Sequence, residues 1–171
     1  MQALKQRIRH VPDFPKPGIL FYDVTTLMKD PAGFQMAVEA MASPHAASRV
    51  ELVVGIESRG FIFGSAVADR LKTGFAPVRK LGKLPSKTRK ATYALEYGTD
   101  SLEIHEDAVA AGQRVLVVDD LLATGGTAAA TVGLVRSLGA NLVGVQFLIE
   151  LLALKGREKL QGEQVGAVIA Y

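Results

Sequence analysis

The chain has 171 residues, of which 49% are apolar and 22% charged, and this composition is that of one soluble globular domain spanning residues 1–171. Cysteine is absent, which excludes disulfide bonds and cysteine-ligated zinc, and the net charge of +3 does not indicate nucleic-acid binding. The amino terminus lacks the apolar core of a signal peptide and no apolar run could span a membrane, so we expect a cytoplasmic protein without a membrane partner.

The first 30 residues combine a short helical pattern with a proline-rich segment. Leu4, Ile8 and Val11 recur at helical spacing and predict a helix over residues 1–9. Three prolines make residues 11–20 an extended, stiffened segment. By themselves these features indicate an arm packed over the domain.

A helix and the first sheet strand follow. Asp30 and Pro31 are typical of a helix start, an acidic N-cap before proline at the first helical position. Residues 52–56 predict a strand, which leads through a polar turn with Arg59 into a helix ending near residue 71. A polar turn at a helix N-terminus can bind phosphate. Arg59 taken alone is better explained as a solvated surface residue.

A second strand is predicted over residues 75–78, and the chain's main charge cluster follows it. Six of the 20 basic residues fall within residues 79–90, and no acid interrupts them. They are Arg79, Lys80, Lys83, Lys87, Arg89 and Lys90. A solvated loop is the commonest reason for such a run, and a nucleic-acid patch would need aromatic side chains between the charges. A clamp for a polyanionic small substrate fits best beside a phosphate-binding turn.

Residues 92–98 and 101–107 alternate between apolar and polar side chains, a pattern that predicts strands. Glu96 in the first of them is compatible with the solvent-facing position of a hairpin. We interpret His105 in the second as a surface strand residue rather than a catalyst.

The main candidate site lies in residues 114–127. Residues 114–118 are apolar and β-branched, typical of a strand buried on both faces, and Asp119 and Asp120 follow directly. The turn behind them opens into a helix, whose N-terminus favours an anion. This turn consists of Ala123, Thr124, Gly125, Gly126 and Thr127. Phosphate held by amides beside sugar hydroxyls held by carboxylates describes a receptor for ribose 5-phosphate, although a plain strand-to-helix turn is the structural alternative.

The remaining pattern completes an α/β fold. It predicts a helix over residues 126–138, strands over residues 141–149 and 165–169, and a short charged helix over residues 155–160. Alternating strands and helices imply a largely parallel, doubly wound sheet flanked by helices. Ligands of such sheets bind beyond the carboxyl ends of the strands, where the two candidate turns would meet.

Residues 117–127 resemble the phosphoribosyl pyrophosphate (PRPP) motif of the type I phosphoribosyltransferases. Residues 57–60 are similar to that family's pyrophosphate loop, which commonly contains a non-proline cis peptide, and residues 79–85 are similar to the start of its mobile catalytic loop. The Leu-Glu-Tyr-Gly sequence at residues 95–98 resembles the adenine-specific branch. The resemblance covers nearly the whole chain in family order.

The resemblance implies the type I phosphoribosyltransferase fold, with a small N-terminal hood over about residues 1–30 and a mobile catalytic loop over about residues 80–100. It implies that adenine and PRPP are converted to AMP and pyrophosphate. Glu96, which would reach the purine, and Arg59, which would bind pyrophosphate, are the implied catalytic residues. The family often has arginine where this chain has Tyr22.

The binding residues are likewise implied by the resemblance. Those for PRPP and AMP would be Asp119, Asp120, Ala123, Thr124, Gly125, Gly126, Thr127, Arg59, Lys80 and Lys83. Those for adenine would be Leu20, Phe21 and Leu151. Mg²⁺ is the implied cofactor and would be held mainly through PRPP rather than by a protein cage.

The family further implies a homodimer. Two alternatives stay open at the level of sequence. The chain could be a phosphoribosyltransferase for a 6-oxopurine base, because base recognition relies largely on backbone. It could instead be a non-catalytic PRPP-sensing regulator, although we find no spare segment for the nucleic-acid-binding element of such a protein.

Overall fold

The computed structural model describes residues 1–94 and 99–171. Its helices and strands are, in chain order, α1 (Gln2–Lys5), β1 (Arg9–Pro12), β2 (Leu20–Asp23), α2 (Thr25–Met28), α3 (Pro31–Ala42), β3 (Leu52–Ile56), α4 (Arg59–Leu71), β4 (Gly74–Lys80), β5 (Thr88–Ala94), β6 (Thr99–His105), β7 (Arg114–Leu122), α5 (Gly126–Ser137), β8 (Asn141–Glu150) and β9 (Val165–Ala170). Short 3₁₀ turns cover Ser43–His45, Leu152–Leu154 and Gly156–Leu160. Within the described ranges, no helix is long and apolar enough to cross a membrane.

Seven strands form the central sheet in the order β5-β6-β4-β3-β7-β8-β9. Five neighbouring strands of the sheet run parallel to one another, and these are β4, β3, β7, β8 and β9. β6 runs antiparallel to both β4 and β5 and so closes one edge with a hairpin. This mixed, mostly parallel sheet with helices on its faces confirms the predicted α/β architecture.

The sheet is buried on both faces because alternate residues of its central strands enter opposite cores. In β7, Leu116 and Val118 enter the apolar cluster that also contains Phe63 of α4. Val115 and Val117 enter the second cluster, which also includes residues of α5. A strand covered on both sides has no polar face, which explains the continuous apolar run read from the sequence.

The N-terminal prediction was partly wrong. The helix expected over residues 1–9 ends at Lys5, because Arg9 begins a strand instead. Arg9 pairs with Asp23 across the antiparallel β1–β2 hairpin, and their side chains form an ion pair of 2.7 Å. The hairpin is a separate two-stranded sheet. It gives the segment a hydrogen-bonded partner that helical periodicity could not foresee.

Three strand boundaries and the type of one helix also differ from the sequence prediction. β7 continues to Leu122, so the two aspartates lie within the strand rather than after it, because β8 stays paired beside it through Glu150. β4 reaches Lys80 and β5 begins at Thr88, which leaves only residues 81–87 of the basic run between strands. The charged helix predicted over residues 155–160 is a short 3₁₀ turn.

Candidate active site

The turn at residues 123–127, called the phosphate turn below, is shaped by close backbone packing. Gly125, the N-cap of α5, has a φ of +77°, a conformation that favours glycine. A Cβ there would lie 2.3 Å from the carbonyl oxygen of Gly156, so a larger residue does not fit. The turn lines a cavity of about 80 Å³ together with Asp119 and Ala128. The first N–H groups of a helix lack intrahelical acceptors, so this cavity suits an anion.

Asp119 and Asp120 differ in their surroundings. Asp120 is 6% exposed, and its Oδ2 pairs with Nε of Arg59 at 2.5 Å. Asp119 accepts the backbone N–H of Asp120 at 2.8 Å. Burial, followed by the neighbouring Asp120 charge, raises the pKa of Asp119 well above its ordinary value. Arg59 therefore balances Asp120, whereas Asp119 would gain most from further hydrogen-bond donors such as sugar hydroxyls.

The two candidate turns touch each other. Gly60, in the first turn of α4, packs so closely on β7 that a Cβ there would lie 2.5 Å from Oδ1 of Asp119. The peptide bond between Glu57 and Ser58 is cis, as the family resemblance implied. The sequence predicted that the two turns meet beyond the carboxyl ends of the strands, and the contact between Gly60 and Asp119 confirms this.

Three residues of the basic run, Arg79, Lys80 and Lys83, already have carboxylate partners. Oε2 of Glu57 accepts Nε of Arg79 at 3.2 Å and the backbone N–H of Lys80 at 3.0 Å, and Nζ of Lys83 contacts Oε1. Burial opposes ionisation of Glu57, but the hydrogen bonds from Lys83 and the Lys80 N–H outweigh it and lower its pKa. Glu57 thus holds Arg79, Lys80 and Lys83 beside the turn at residues 57–60, called the Arg59 turn below.

Glu103 of β6 anchors the same segment from the other side. It is 4% exposed and accepts the backbone N–H groups of Lys83 and Leu84 at 3.0 and 3.1 Å. It also accepts the hydroxyl of Thr88 at 3.2 Å. Sequence reasoning missed both Glu57 and Glu103 as anchors. Glu103 stands at a polar position of the alternating β6 sequence, so no feature of the sequence marked it as buried.

Lys80 has a partner of its own. Its Nζ lies 3.2 Å from Oδ2 of Asp100 on β6. The hydrogen bond to Asp100 and its negative charge raise the pKa of Lys80. The pKa of Asp100 is lowered, first by the backbone N–H of Ser101 and then by Lys80. Both groups are therefore ionised at neutral pH.

Two of the three residues predicted to contact the base lie near the candidate turns, Phe21 beside Arg59 and Leu151 beside the end of β7. The ring of Phe21 lies 5.5 Å from the guanidinium of Arg59, so β2 of the hairpin reaches the Arg59 turn. The backbone N–H of Leu151 donates to the carbonyl of Leu122 at 2.9 Å, beside the end of β7. Leu20 is 44% exposed.

Tyr22 points away from these groups. Its ring stacks on Tyr171 at 4.0 Å and packs against the first apolar cluster. The departure from the family's arginine therefore gives this position a packing role. Glu96, the predicted catalytic acid, lies outside the described residues.

Three comparisons with known proteins agree with this geometry. Residues 25–163 match the model of the phosphoribosyl transferase domain. The chain is 56% identical over 170 residues to the adenine phosphoribosyltransferase of Acidobacterium capsulatum, covering 99% of the chain and 94% of the relative. It is 57% identical over 167 residues to the adenine phosphoribosyltransferase of Symbiobacterium thermophilum, covering 98% of each.

Solved structures give the same result. The adenine phosphoribosyltransferase of Thermoanaerobacter pseudethanolicus superimposes with a TM-score of 0.97 at 50% identity, covering 99% of each chain. The Saccharomyces cerevisiae enzyme, solved with an imino-altritol bisphosphate and adenine, gives a TM-score of 0.93 at 44% identity, covering 98% of this chain and 97% of that chain.

Proposed function

The chain belongs to the adenine phosphoribosyltransferases of the phosphoribosyltransferase family, and we propose that it converts adenine and PRPP to AMP and pyrophosphate. The observation that carries this proposal is the contact between the Arg59 turn and the Asp119 region through Gly60. That contact joins a cavity suited to a sugar phosphate to a cluster of cations suited to a leaving pyrophosphate. One substrate carrying both groups at opposite ends of a ribose matches the arrangement.

The phosphate turn would hold the 5-phosphate of PRPP. In this proposal the backbone N–H groups and hydroxyls of residues 123–127 donate to phosphate oxygens at the positive end of α5. Asp119 and Asp120 accept hydrogen bonds from the ribose hydroxyls. Breaking the bond to pyrophosphate builds positive charge on the ribose, and two adjacent carboxylates stabilise that charge.

The cations at the other end would hold the pyrophosphate as it leaves. Arg59, Lys80 and Lys83 are the candidates, and each must first give up or share its carboxylate partner. Exchange of a protein carboxylate for a phosphate oxygen keeps each cation paired throughout. The charge on the leaving group is thereby neutralised without leaving an unpaired cation.

The base would lie between the hairpin and the end of β8, against Leu20, Phe21 and Leu151. Glu96 would exchange a proton with the purine or stabilise its developing charge when the segment around it closes, within the loop expected over about residues 80–100, while β5 and β6 stay paired in the central sheet. The hairpin belongs to a hood over about residues 1–30, within one domain that spans residues 1–171. Exclusion of water by the hood and loop would protect PRPP from hydrolysis.

Mg²⁺ is the cofactor of this proposal. Magnesium binds through one or two carboxylates and substrate phosphates and keeps several of its waters, and the two aspartates supply that donor type. Asp120 is already paired with Arg59, so PRPP oxygens would supply most of the ligands, with Asp119 as the available carboxylate. The bound ion would neutralise charge on the pyrophosphate. We further propose a cytoplasmic homodimer, in line with the family.

The decisive experiment is to incubate the protein with PRPP, Mg²⁺ and a panel of purine and pyrimidine bases and to identify the nucleotide by mass spectrometry. We expect AMP from adenine, with hypoxanthine and guanine at least about a hundredfold slower. Formation of IMP or GMP as the main product would support the 6-oxopurine alternative. PRPP binding with no nucleotide formed would support the regulator.

A further inference from the structure

A chain of polar side chains connects the phosphate turn to the basic segment. The hydroxyl of Thr127 donates to the hydroxyl of Tyr93 at 3.3 Å. Tyr93 in turn donates to Oδ2 of Asp100 at 3.3 Å, and the same carboxylate oxygen pairs with Lys80. The proposed reaction assigns no role to Tyr93 or Asp100.

Strand pairing places these groups together. Tyr93 and Asp100 are direct partners in the antiparallel β5–β6 ladder. Lys80 pairs with Leu102 in the β4–β6 ladder, so Lys80 is a diagonal neighbour of Asp100 on the same face. The ring of Tyr93 packs against the second apolar cluster. Its hydroxyl is therefore held at the N-terminus of α5 by both the sheet register and the core.

The protonation states suit a fixed hydrogen-bonded chain. Burial raises the pKa of Tyr93, so its hydroxyl keeps its proton at neutral pH. Asp100 is ionised and can only accept hydrogen bonds. Tyr93 is thus oriented by Asp100 and presents its oxygen to Thr127. A threonine side chain with one fixed rotamer loses less entropy on binding a ligand than a freely rotating one.

We propose that Tyr93 is a positioning residue for the 5-phosphate, which holds the hydroxyl of Thr127 at the phosphate turn while Asp100 anchors Tyr93. This inference rests on the proposed function, because it assigns the 5-phosphate to that turn. A hydroxyl both donates and accepts. When Thr127 turns its proton towards a phosphate oxygen, Tyr93 can turn its own proton from Asp100 to the Thr127 oxygen, and Asp100 keeps Lys80 as a partner. The strand residue therefore supports the site in both the free and the bound state.

The test is a double-mutant cycle of Tyr93→Phe and Thr127→Val. Ribose 5-phosphate binding is measured by calorimetry, and AMP formation is measured by steady-state kinetics. Loss of one neutral hydrogen bond predicts that Tyr93→Phe weakens ribose 5-phosphate binding about fivefold and raises the KM for PRPP by a similar factor. We expect kcat and the KM for adenine to stay within about twofold. Because Tyr93 acts through Thr127, the double variant should be no weaker than Thr127→Val alone.

Tyr171→Phe is the matched control. It also removes one tyrosine hydroxyl, but that hydroxyl is buried without a partner among the described residues. Its KM for PRPP should equal that of the wild type. Unchanged ribose 5-phosphate binding in Tyr93→Phe, or additive losses in the double variant, would overturn the role of Tyr93 while the enzyme still makes AMP. A wild-type protein that makes no AMP would overturn the proposed function as well.

Discussion

The phosphate turn and the basic segment at residues 79–90 are both suited to anions, but they are built differently. The turn is backbone held in place by tight packing, as the contact between Gly125 and Gly156 shows. The basic segment presents side chains, and two of its lysines, Lys80 and Lys83, already pair with Asp100 and Glu57. The turn is preformed, whereas the lysines must exchange partners. Changes near the turn should therefore affect catalysis more than changes in the basic segment.

The largest effect is expected at the two carboxylates that precede the turn. Asp119→Asn combined with Asp120→Asn should lower AMP formation on the order of a thousandfold or more, because the ribose loses both negative charges that face its developing positive charge. Initial rates at saturating adenine and PRPP measure this loss. A fully active double variant would contradict the assignment of these residues to the ribose.

The single change Asp119→Asn should leave the folding stability unchanged or increase it, even though Asp119 is assigned to the ribose. The pKa of Asp119 is raised in the folded state, so its ionisation costs folding stability once the pH exceeds the ordinary value of 3.8. An asparagine oxygen can still accept the N–H of Asp120 but carries no charge. In urea unfolding, the variant should match or exceed the wild type at pH 7, and this advantage should shrink as the pH falls towards 4. A variant less stable than the wild type at pH 7 would contradict this account.

The sequence was most informative at the phosphate turn, where the backbone itself forms the candidate binding site. The placement of Asp119, Asp120 and the glycines of the phosphate turn around the N-terminus of α5 could be predicted, because a buried strand leading into a small-residue turn leaves few structural alternatives. The partners of the basic residues could not. The pairings of Lys83 with Glu57 and of Lys80 with Asp100 join residues that are 20 or more positions apart in the chain, and the order and register of the strands bring them together. Strand register is a tertiary property, and one sequence does not reveal it.

The boundary errors have the same origin. Periodicity predicted that the strand ends at residue 118, but pairing with β8 extends it to Leu122. Helical spacing predicted a helix through residue 9, but the hairpin partner of Arg9 made it a strand. In both places a distant segment supplied backbone hydrogen bonds that local propensity does not include.

A smaller effect is expected at Glu96, which, like the basic segment, would act through a side chain rather than through the backbone. Glu96→Gln should lower kcat about a hundredfold, because amide side chains do not exchange protons with the purine. The KM for PRPP should change by less than about threefold, since the base rather than the sugar phosphate is affected. Glu106→Gln, an exposed acid beyond the end of β6, is the control and should behave like the wild type. A raised KM for PRPP with normal turnover would assign Glu96 to binding.

The smallest effect should come from the lysines that must exchange partners. Lys80→Ala combined with Lys83→Ala should raise the KM for PRPP about tenfold, which corresponds to about 1.4 kcal/mol. Two new charge-assisted hydrogen bonds would contribute more than this if they started from solvent. Here each lysine gives up a carboxylate first, so the net gain on binding is smaller. The loss should decrease as ionic strength rises.

Lys87→Ala combined with Lys90→Ala removes the same charge from the same segment. Neither lysine forms an ion pair within the part of the chain that the structure describes, and both are exposed. This control should change the KM for PRPP by less than about twofold at physiological salt, because exposed charges are screened. Equal losses in both variants would mean that the segment acts through overall charge alone. An unchanged KM in the Lys80 and Lys83 variant would make the whole segment a solvated loop, and the pairing with Glu57 and Asp100 would then be structural.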